Sequence, residues 1–514
     1  MNEKISGALR QKALLAACAG LFLFLACYNL TNYPLPWFDE GSHLHVPKTL
    51  VTYGVYADYS SEGFRYYGPT AGIGPTVFLP IAGAFELFGI GLLQARLVMV
   101  LYLVGAVVAF YQLARQLSGE RFALAASAVL VTSRGIGLLE YGRQVLGEVP
   151  GLLFLVGGLL VWFASWQRPA WGRLALAGLL MGLSTVTKNQ YLLVAAPALL
   201  LGWAANIFYY KAVPQRVFIV TGGITALCYA AWQVTMILYL GPATASENLA
   251  LLQAGAAGAA LVFSPELMLR GLGELVNYRV FLFLLVPAVI YGLLLARPKS
   301  QQGLRWGMIM ALVVSNLGWY VLASISWNRY AFPGLVFSSL LVVKLVGDIS
   351  QGFEWNPGAL IRFLRGLRPF PARALLANLM LAWLAVLVLL PLGQNALNIL
   401  RPAENYPAEM AAYMNAHVDP KALVETWEPE MGFLTNHNYH FPPPGLLYKA
   451  VSYIWMHQAP PADSYDFVQT TRPDYVLVGN FSSWVELYPA NLLSANYTLE
   501  TRIGGYALYA RKRG

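Results

Sequence analysis

The sequence predicts a mainly α fold: a polytopic transmembrane helical bundle followed by a small α/β domain. Only 11% of the 514 residues are charged and 57% are hydrophobic, against about 25% charged in an average soluble domain. Apolar runs long enough to cross a hydrocarbon core of about 30 Å recur along most of the chain. After Gly393 the composition turns polar and Pro-rich, and the membrane pattern ends.

The first run, from about Ala13 to Leu30, follows Lys4, Arg10 and Lys12. It is long for a signal-peptide core and lacks a small-x-small cleavage site ahead of Tyr33, so it reads as a retained signal-anchor helix. Counting 13–31, spans are expected at 93–117, 122–138, 149–166, 174–187, 189–208, 217–240, 280–296, 306–325, 332–347 and 374–394, eleven in all. With the N-terminus inside, every cytoplasmic connection is basic: Arg115 and Arg121, Arg168 and Arg173, Lys211 and Arg216, Arg297, Lys299 and Arg305, then Arg362 to Arg373. This is the positive-inside pattern. It explains the net charge of +9 without a nucleic-acid partner.

The same parity puts 32–92, 139–148, 241–279, 326–331 and everything after 395 on the outer side. Within the first outer loop, 69–92 is apolar but broken by Gly72, Gly74, Pro75, Pro80 and Gly83, as suits a juxtamembrane or re-entrant helix. Inside, 349–373 reads as a basic amphipathic stretch on the lipid surface. Residues 1–394 thus form the membrane domain and 395–514 an extracytoplasmic α/β domain. Its helix is expected over 404–417, its buried strands at Leu423–Trp427 and Tyr475–Gly479, and a hairpin over 497–511 turning at Gly504-Gly505. The aromatic and Pro-rich stretch His437 to Tyr448 reads as a structural loop, the alternatives being a cover for the active-site mouth or an acceptor-binding segment. Cys18, Cys27 and Cys228 all fall in apolar runs, which supports neither a disulfide framework nor a thiolate metal site.

The chemistry-bearing residues are sparse. Asp39-Glu40 follows the first span directly, and carboxylates are too costly in lipid to be placed there idly, so they face water as catalytic groups or cap a helix. His43 can join both as ligands of an optional divalent metal ion, although this spacing is not a strong metal motif. Glu148 and Arg143 flank the fourth span as an interfacial pair or as site residues. Arg65, Arg96, Lys188, Arg270, Arg279 and Arg329 also lie outside, against the insertion bias; an anionic lipid head group is one reason for them. Tyr330 beside Arg329 belongs either to that site or to an aromatic belt with Trp319, Tyr320 and Trp327. Walker loops, dinucleotide fingerprints and nucleophile elbows are absent from the sequence in any fitting context.

Together the Asp39-Glu40 pair, Ala95-Arg96-Leu97, Leu113-Ala114-Arg115-x2-Ser118-Gly119, Gly178-Leu179-x2-Gly182-Leu183-x3-Thr187-Lys188 and Arg329-Tyr330-x2-Pro333 resemble the GT-C membrane glycosyltransferases. The resemblance covers roughly residues 10–340 and is strongest to the clan of protein O-mannosyltransferases and the lipid A aminoarabinose transferase. It implies a polyprenyl-phosphate sugar donor, an extracytoplasmic acceptor, inversion at the sugar carbon and a site facing outward from the inner (plasma) membrane. It further implies Asp39 as the catalytic carboxylate beside Glu40, Glu148 as the second outer-loop acid, and Lys188 and Arg329 near the lipid phosphate. Where relatives carry Lys-Pro-Pro this chain reads Gly72-Ile73-Gly74-Pro75, so Arg65 or Arg96 is expected to replace the lysine. The rival readings are a transporter or flippase of a lipid-linked or sugar substrate, whose gating charges would be Asp39, Glu148 and Lys188, and a membrane scaffold.

Overall fold

The computed structural model describes residues 2–66, 72–254, 261–366, 372–457 and 465–512. Each expected span overlaps a helix. Among the described residues, seven helices are long and apolar enough to cross a membrane: Leu92–Ser118, Glu148–Ser165, Gln190–Tyr210, Arg216–Leu240, Gln301–Ala323, Asn328–Ile349 and Ala372–Leu400. The other four sites hold Asn2–Cys27, Glu120–Thr132, Trp171–Thr187 and Leu285–Ala296. Leucines such as Leu101, Leu238 and Leu389 are exposed on these helices, a cost in water that lipid removes. The chain is an integral membrane protein.

Local chemistry sets the helix ends. Ser300 accepts a hydrogen bond from the Gly303 N–H and Asn405 from the Ala408 N–H, each satisfying an orphan donor at a helix start. Small residues set the packing. A Cβ on Gly178 would lie 2.6 Å from the Thr221 carbonyl oxygen, and one on Gly182 would lie 2.5 Å from the Cys228 Cβ, so this glycine pair lets Trp171–Thr187 pack closely against Arg216–Leu240. The three cysteines are free thiols, as their apolar settings suggested.

The Gly- and Pro-broken segment forms the 14-residue helix Pro75–Phe88, too short to span. Inside the basic stretch, Pro357–Leu364 is a helix with Ile361, Phe363 and Leu364 exposed; residues 367–371 lie outside the described residues. The segment between the first two expected spans also holds the helix Phe38–Tyr53 and a hairpin of β1 (Asp58–Ser60) and β2 (Gly63–Arg65).

After the helix Tyr406–His417, the C-terminal part builds a five-stranded sheet from β3 (Leu423–Thr426), β4 (Asn438–His440), β5 (Tyr475–Val478), β6 (Tyr497–Ile503) and β7 (Tyr506–Arg511). Its order is β4-β3-β5-β7-β6, with β3 parallel to β4 and β5 and the β6–β7 hairpin antiparallel. Met410, Met414, Val424, Leu477 and Leu508 form its core. The stretch expected as a loop from His437 instead supplies β4 and the start of the helix Pro444–Met456. Three residues are too few for a visible alternation, which hides such a strand in sequence.

This sheet unit docks on the helix Phe38–Tyr53. Lys48 Nζ donates to the carbonyls of Gly432 (2.8 Å), Phe433 (3.3 Å) and Thr435 (2.9 Å), capping the short helix Pro429–Leu434. His45 Nε2 lies 2.8 Å from the Pro429 carbonyl and its Nδ1 2.6 Å from Asp58. A Cβ on Gly41 would sit 2.2 Å from the Glu430 backbone nitrogen, so the contact is backbone on backbone.

Candidate active site

Asp39 and Glu40 open the helix Phe38–Tyr53, where carboxylates complement the helix dipole. Successive helical residues diverge by about 100°, and here that rotation separates their roles. Glu40 is fully buried. Arg96 holds it bidentately, Nε donating to Oε1 at 2.8 Å and Nη2 to Oε2 at 2.5 Å, while the Val145 N–H donates to Oε1 at 3.1 Å. Arg96 also donates to the Leu30 and Pro34 carbonyls at 2.6 and 2.8 Å.

Asp39 faces the other way, into a cavity of about 1030 Å³. Its Oδ2 is paired with Arg329 Nη1 and its side chain is 20% exposed. Burial alone would raise the Asp39 carboxyl, but the charge and hydrogen bond of Arg329 and the charge of Lys188 outweigh it and hold the group below its usual range. Asp39 is therefore a carboxylate at neutral pH. The guanidinium of Arg329 lies 5.0 Å from the Trp327 ring and 5.6 Å from the Trp37 ring, an aromatic seat for the cation. Tyr330 is buried against Trp319, with ring centroids 5.6 Å apart.

A second ion pair adjoins the first. Glu148 begins the helix Glu148–Ser165 and pairs through Oε1 with Lys188, which ends Trp171–Thr187 in extended backbone. Glu148 Oε2 is buried without a hydrogen-bond partner among the described residues. His43 Nδ1 lies 2.6 Å from the Val145 carbonyl, so that nitrogen carries the proton and Nε2 is the acceptor. Burial lowers the His43 pKa and favours its neutral form.

Several expectations need correction. Glu40 and Arg96 are consumed by each other and by backbone, so neither a catalytic Glu40 nor a phosphate-binding Arg96 fits their burial. Arg143 donates to the carbonyls of Leu25, Tyr28 and Tyr33 where the first helix ends, satisfying orphan acceptors rather than binding a ligand. Arg65 pairs with Asp58 and lies over the Phe441 ring at 4.3 Å, away from the Asp39 cavity. Neither Arg65 nor Arg96 thus replaces the absent lysine. Asp39, Glu40 and His43 do not converge, and among the described residues no group of three or more His, Cys, Asp or Glu side chains has metal-holding geometry.

The Gly-Pro segment that departs from Lys-Pro-Pro has its own logic. The Gly74 N–H donates to the Thr187 carbonyl at 3.1 Å, Ile73 bridges to Lys188, and a Cβ on Gly74 would lie 1.9 Å from the Val186 carbonyl oxygen. That segment braces the backbone carrying Lys188.

The cavity also brings in residues the sequence did not mark: Glu140, Gln144, Glu274, Trp455, Phe481 and Trp484. Glu140 and Glu274 were visible as outer-loop acids. The three aromatic residues come from the C-terminal part and carried no local signal.

Residues 73–234 match the family described as dolichyl-phosphate-mannose-protein mannosyltransferase. No curated protein matches the chain by sequence. Among solved structures, the chain is similar to ArnT from Cupriavidus metallidurans bound to undecaprenyl phosphate, at 13% identity and TM-score 0.63 over 98% of both chains. It is also similar to the archaeal oligosaccharyltransferase AglB from Archaeoglobus fulgidus in complex with an inhibitory peptide and a dolichol-phosphate, at 12% identity and TM-score 0.57, over 98% of this chain and 74% of that one.

Proposed function

We propose that this chain, whose fold is that of the GT-C membrane glycosyltransferases, transfers a sugar from a polyprenyl-phosphate donor to an extracytoplasmic acceptor. The observation that carries this reading is the Asp39 carboxylate, ionised and facing a large cavity, with Arg329 in contact and Lys188 close enough to act on it. Two cations beside one carboxylate suit a reaction that both stabilises a leaving phosphate and removes a proton.

In the proposed step the acceptor oxygen or nitrogen attacks the sugar's anomeric carbon from the face opposite the phosphate. The bond from that carbon to the phosphate oxygen breaks, and its electron pair leaves with the lipid phosphate. Asp39 takes the acceptor's proton. Arg329 and Lys188 offset the charge developing on the phosphate, and Arg329 exchanges its pairing with Asp39 for the phosphate as the donor enters. Glu148, ion-paired with Lys188, holds that lysine where its charge acts on Asp39 and Arg329. One attack on one carbon inverts its configuration, so no covalent glycosyl-enzyme is needed. The basic cytoplasmic loops support an outward-facing site in the inner membrane.

The test is turnover by the full chain in lipid nanodiscs, given a panel of labelled polyprenyl-phosphate sugars and cell-envelope acceptors. The proposal expects free polyprenyl phosphate and label transferred to acceptor or water. Movement of an intact lipid-linked sugar across sealed vesicles, without cleavage, would instead establish the transporter reading.

A further inference from the structure

The outer wall of the Asp39 cavity is aromatic and is built from both parts of the chain. Phe38, next to Asp39, stacks on Phe481 with ring centroids 4.1 Å apart and an interplanar angle of 23°. Phe481 meets Trp484 edge-on at 5.5 Å, Trp484 meets Trp455 at 6.3 Å, and Trp455 meets Trp327 at 6.1 Å. The row is anchored, since Trp455 Nε1 donates to the Ile325 carbonyl at 2.7 Å and Arg270 covers the Trp455 ring at 4.6 Å. Trp484 stays 36% exposed and lines the cavity, so part of its ring is open to a ligand.

The same cavity is lined by polar groups, the charged Glu140, Glu274 and Arg401 and the carboxamides of Gln144, Asn328 and Asn398 among them. Gln144 is buried at the cavity wall. Asn328 and Asn398 also line the cavity, the former donating to Glu274 Oε2 at 3.3 Å. Flat apolar ring faces together with hydrogen-bonding polar groups in one cavity match a sugar ring, which offers C–H bonds on its face and hydroxyls around its rim. A peptide bound by strand addition needs an open strand edge, and among the described residues no strand residue lines this cavity. The volume is at the upper end of the roughly 300–1,000 Å³ common for ligand pockets, enough for a second ring beside a donor sugar.

We infer that the aromatic row from Phe481 to Trp327 is the acceptor subsite and that the acceptor is a carbohydrate, docked with one ring face on Trp484. This rests on the glycosyl-transfer reading of the same cavity, but binding can be measured with no donor present. The experiment titrates the full chain in nanodiscs with tetrasaccharides of glucose, mannose, galactose and N-acetylglucosamine, and separately with a Ser/Thr-containing dodecapeptide, by calorimetry. At least one tetrasaccharide should bind, Trp484→Ala should weaken it on the order of tenfold, a loss of about 1.4 kcal/mol, and Trp484→Tyr should restore most of it. Thermal unfolding of both variants reports whether they are folded. Binding of the peptide and none of the tetrasaccharides, no binding of either, or equal tetrasaccharide affinity in folded Trp484→Ala overturns the inference. Tetrasaccharide binding by a chain that turns over no lipid-phosphate sugar would strike the proposed reaction while leaving the subsite standing.

Discussion

Arg329 reaches across 290 residues of sequence to pair with Asp39. Two connections, one before the second expected span and one before the tenth, thereby meet at a single charged contact on the cavity wall. If Arg329 sets the ionisation of Asp39, its removal should be read most clearly in the pH dependence of transfer. The folded carboxyl sits below its ordinary range, so wild-type activity should persist as pH falls through that range and decline only beneath it. Arg329→Met should move this acid limb upward by about 1–3 pH units, the usual influence of a neighbouring opposite charge. An unmoved limb would separate Arg329 from Asp39 chemistry.

The Glu40–Arg96 pair should behave as a structural clamp. Removing one partner leaves a buried charge alone, so Arg96→Met is expected to cost about 3–5 kcal/mol, and the joint replacement Glu40→Leu with Arg96→Met should cost less than that single change. Chemical denaturation of the detergent-solubilised protein measures both. Normal stability in Arg96→Met would return Arg96 to the list of ligand-binding candidates.

Asp58 ties the β1–β2 hairpin to His45 and Arg65. Burial opposes its ionisation, yet Arg65 and His45 hold its carboxyl well below the carboxylate range. A depressed folded pKa contributes stability that is complete above the unfolded value near 3.8 and is lost as pH falls through the lower folded value. Asp58→Asn should therefore lower the thermal midpoint at neutral pH and flatten its decline below about pH 4. Parallel acid profiles for wild type and variant would contradict this.

Gly74→Ala places a methyl group against the Val186 carbonyl oxygen. Overpacking of this kind usually costs about 1–3 kcal/mol, and here it also displaces the backbone leading into Lys188. Donor KM should rise severalfold more than the loss of thermal stability alone would produce. Gly72→Ala, whose Cβ meets nothing within 4 Å, should leave both unchanged.

The bundle was legible because membrane helices announce themselves through uninterrupted apolar length, and the sheet's long strands through β-rich runs bounded by turns. Asp39, Glu148, Lys188 and Arg329 stood out because charge next to a span has a cost that sequence displays. What sequence could not display was pairing. Glu40 reads like Asp39 in the chain, and only the helical rotation that turns one toward Arg96 and the other toward the cavity tells them apart. Arg143 and Arg65 likewise looked like free outer cations, yet their partners are backbone carbonyls and an Asp seven residues away across a hairpin. Trp455 and Trp484 were silent because their place beside Asp39 depends on how the C-terminal part docks on the bundle.

The central claim is that Asp39 is the carboxylate that accepts the acceptor's proton. Its most direct test compares wild type with Asp39→Asn for transfer of labelled sugar from the donor that wild type turns over, with thermal unfolding and donor binding measured on the same preparations. The expected result is a folded variant that binds donor and loses about 10²–10⁴-fold in transfer rate. A folded Asp39→Asn protein that transfers sugar at the wild-type rate would contradict the account.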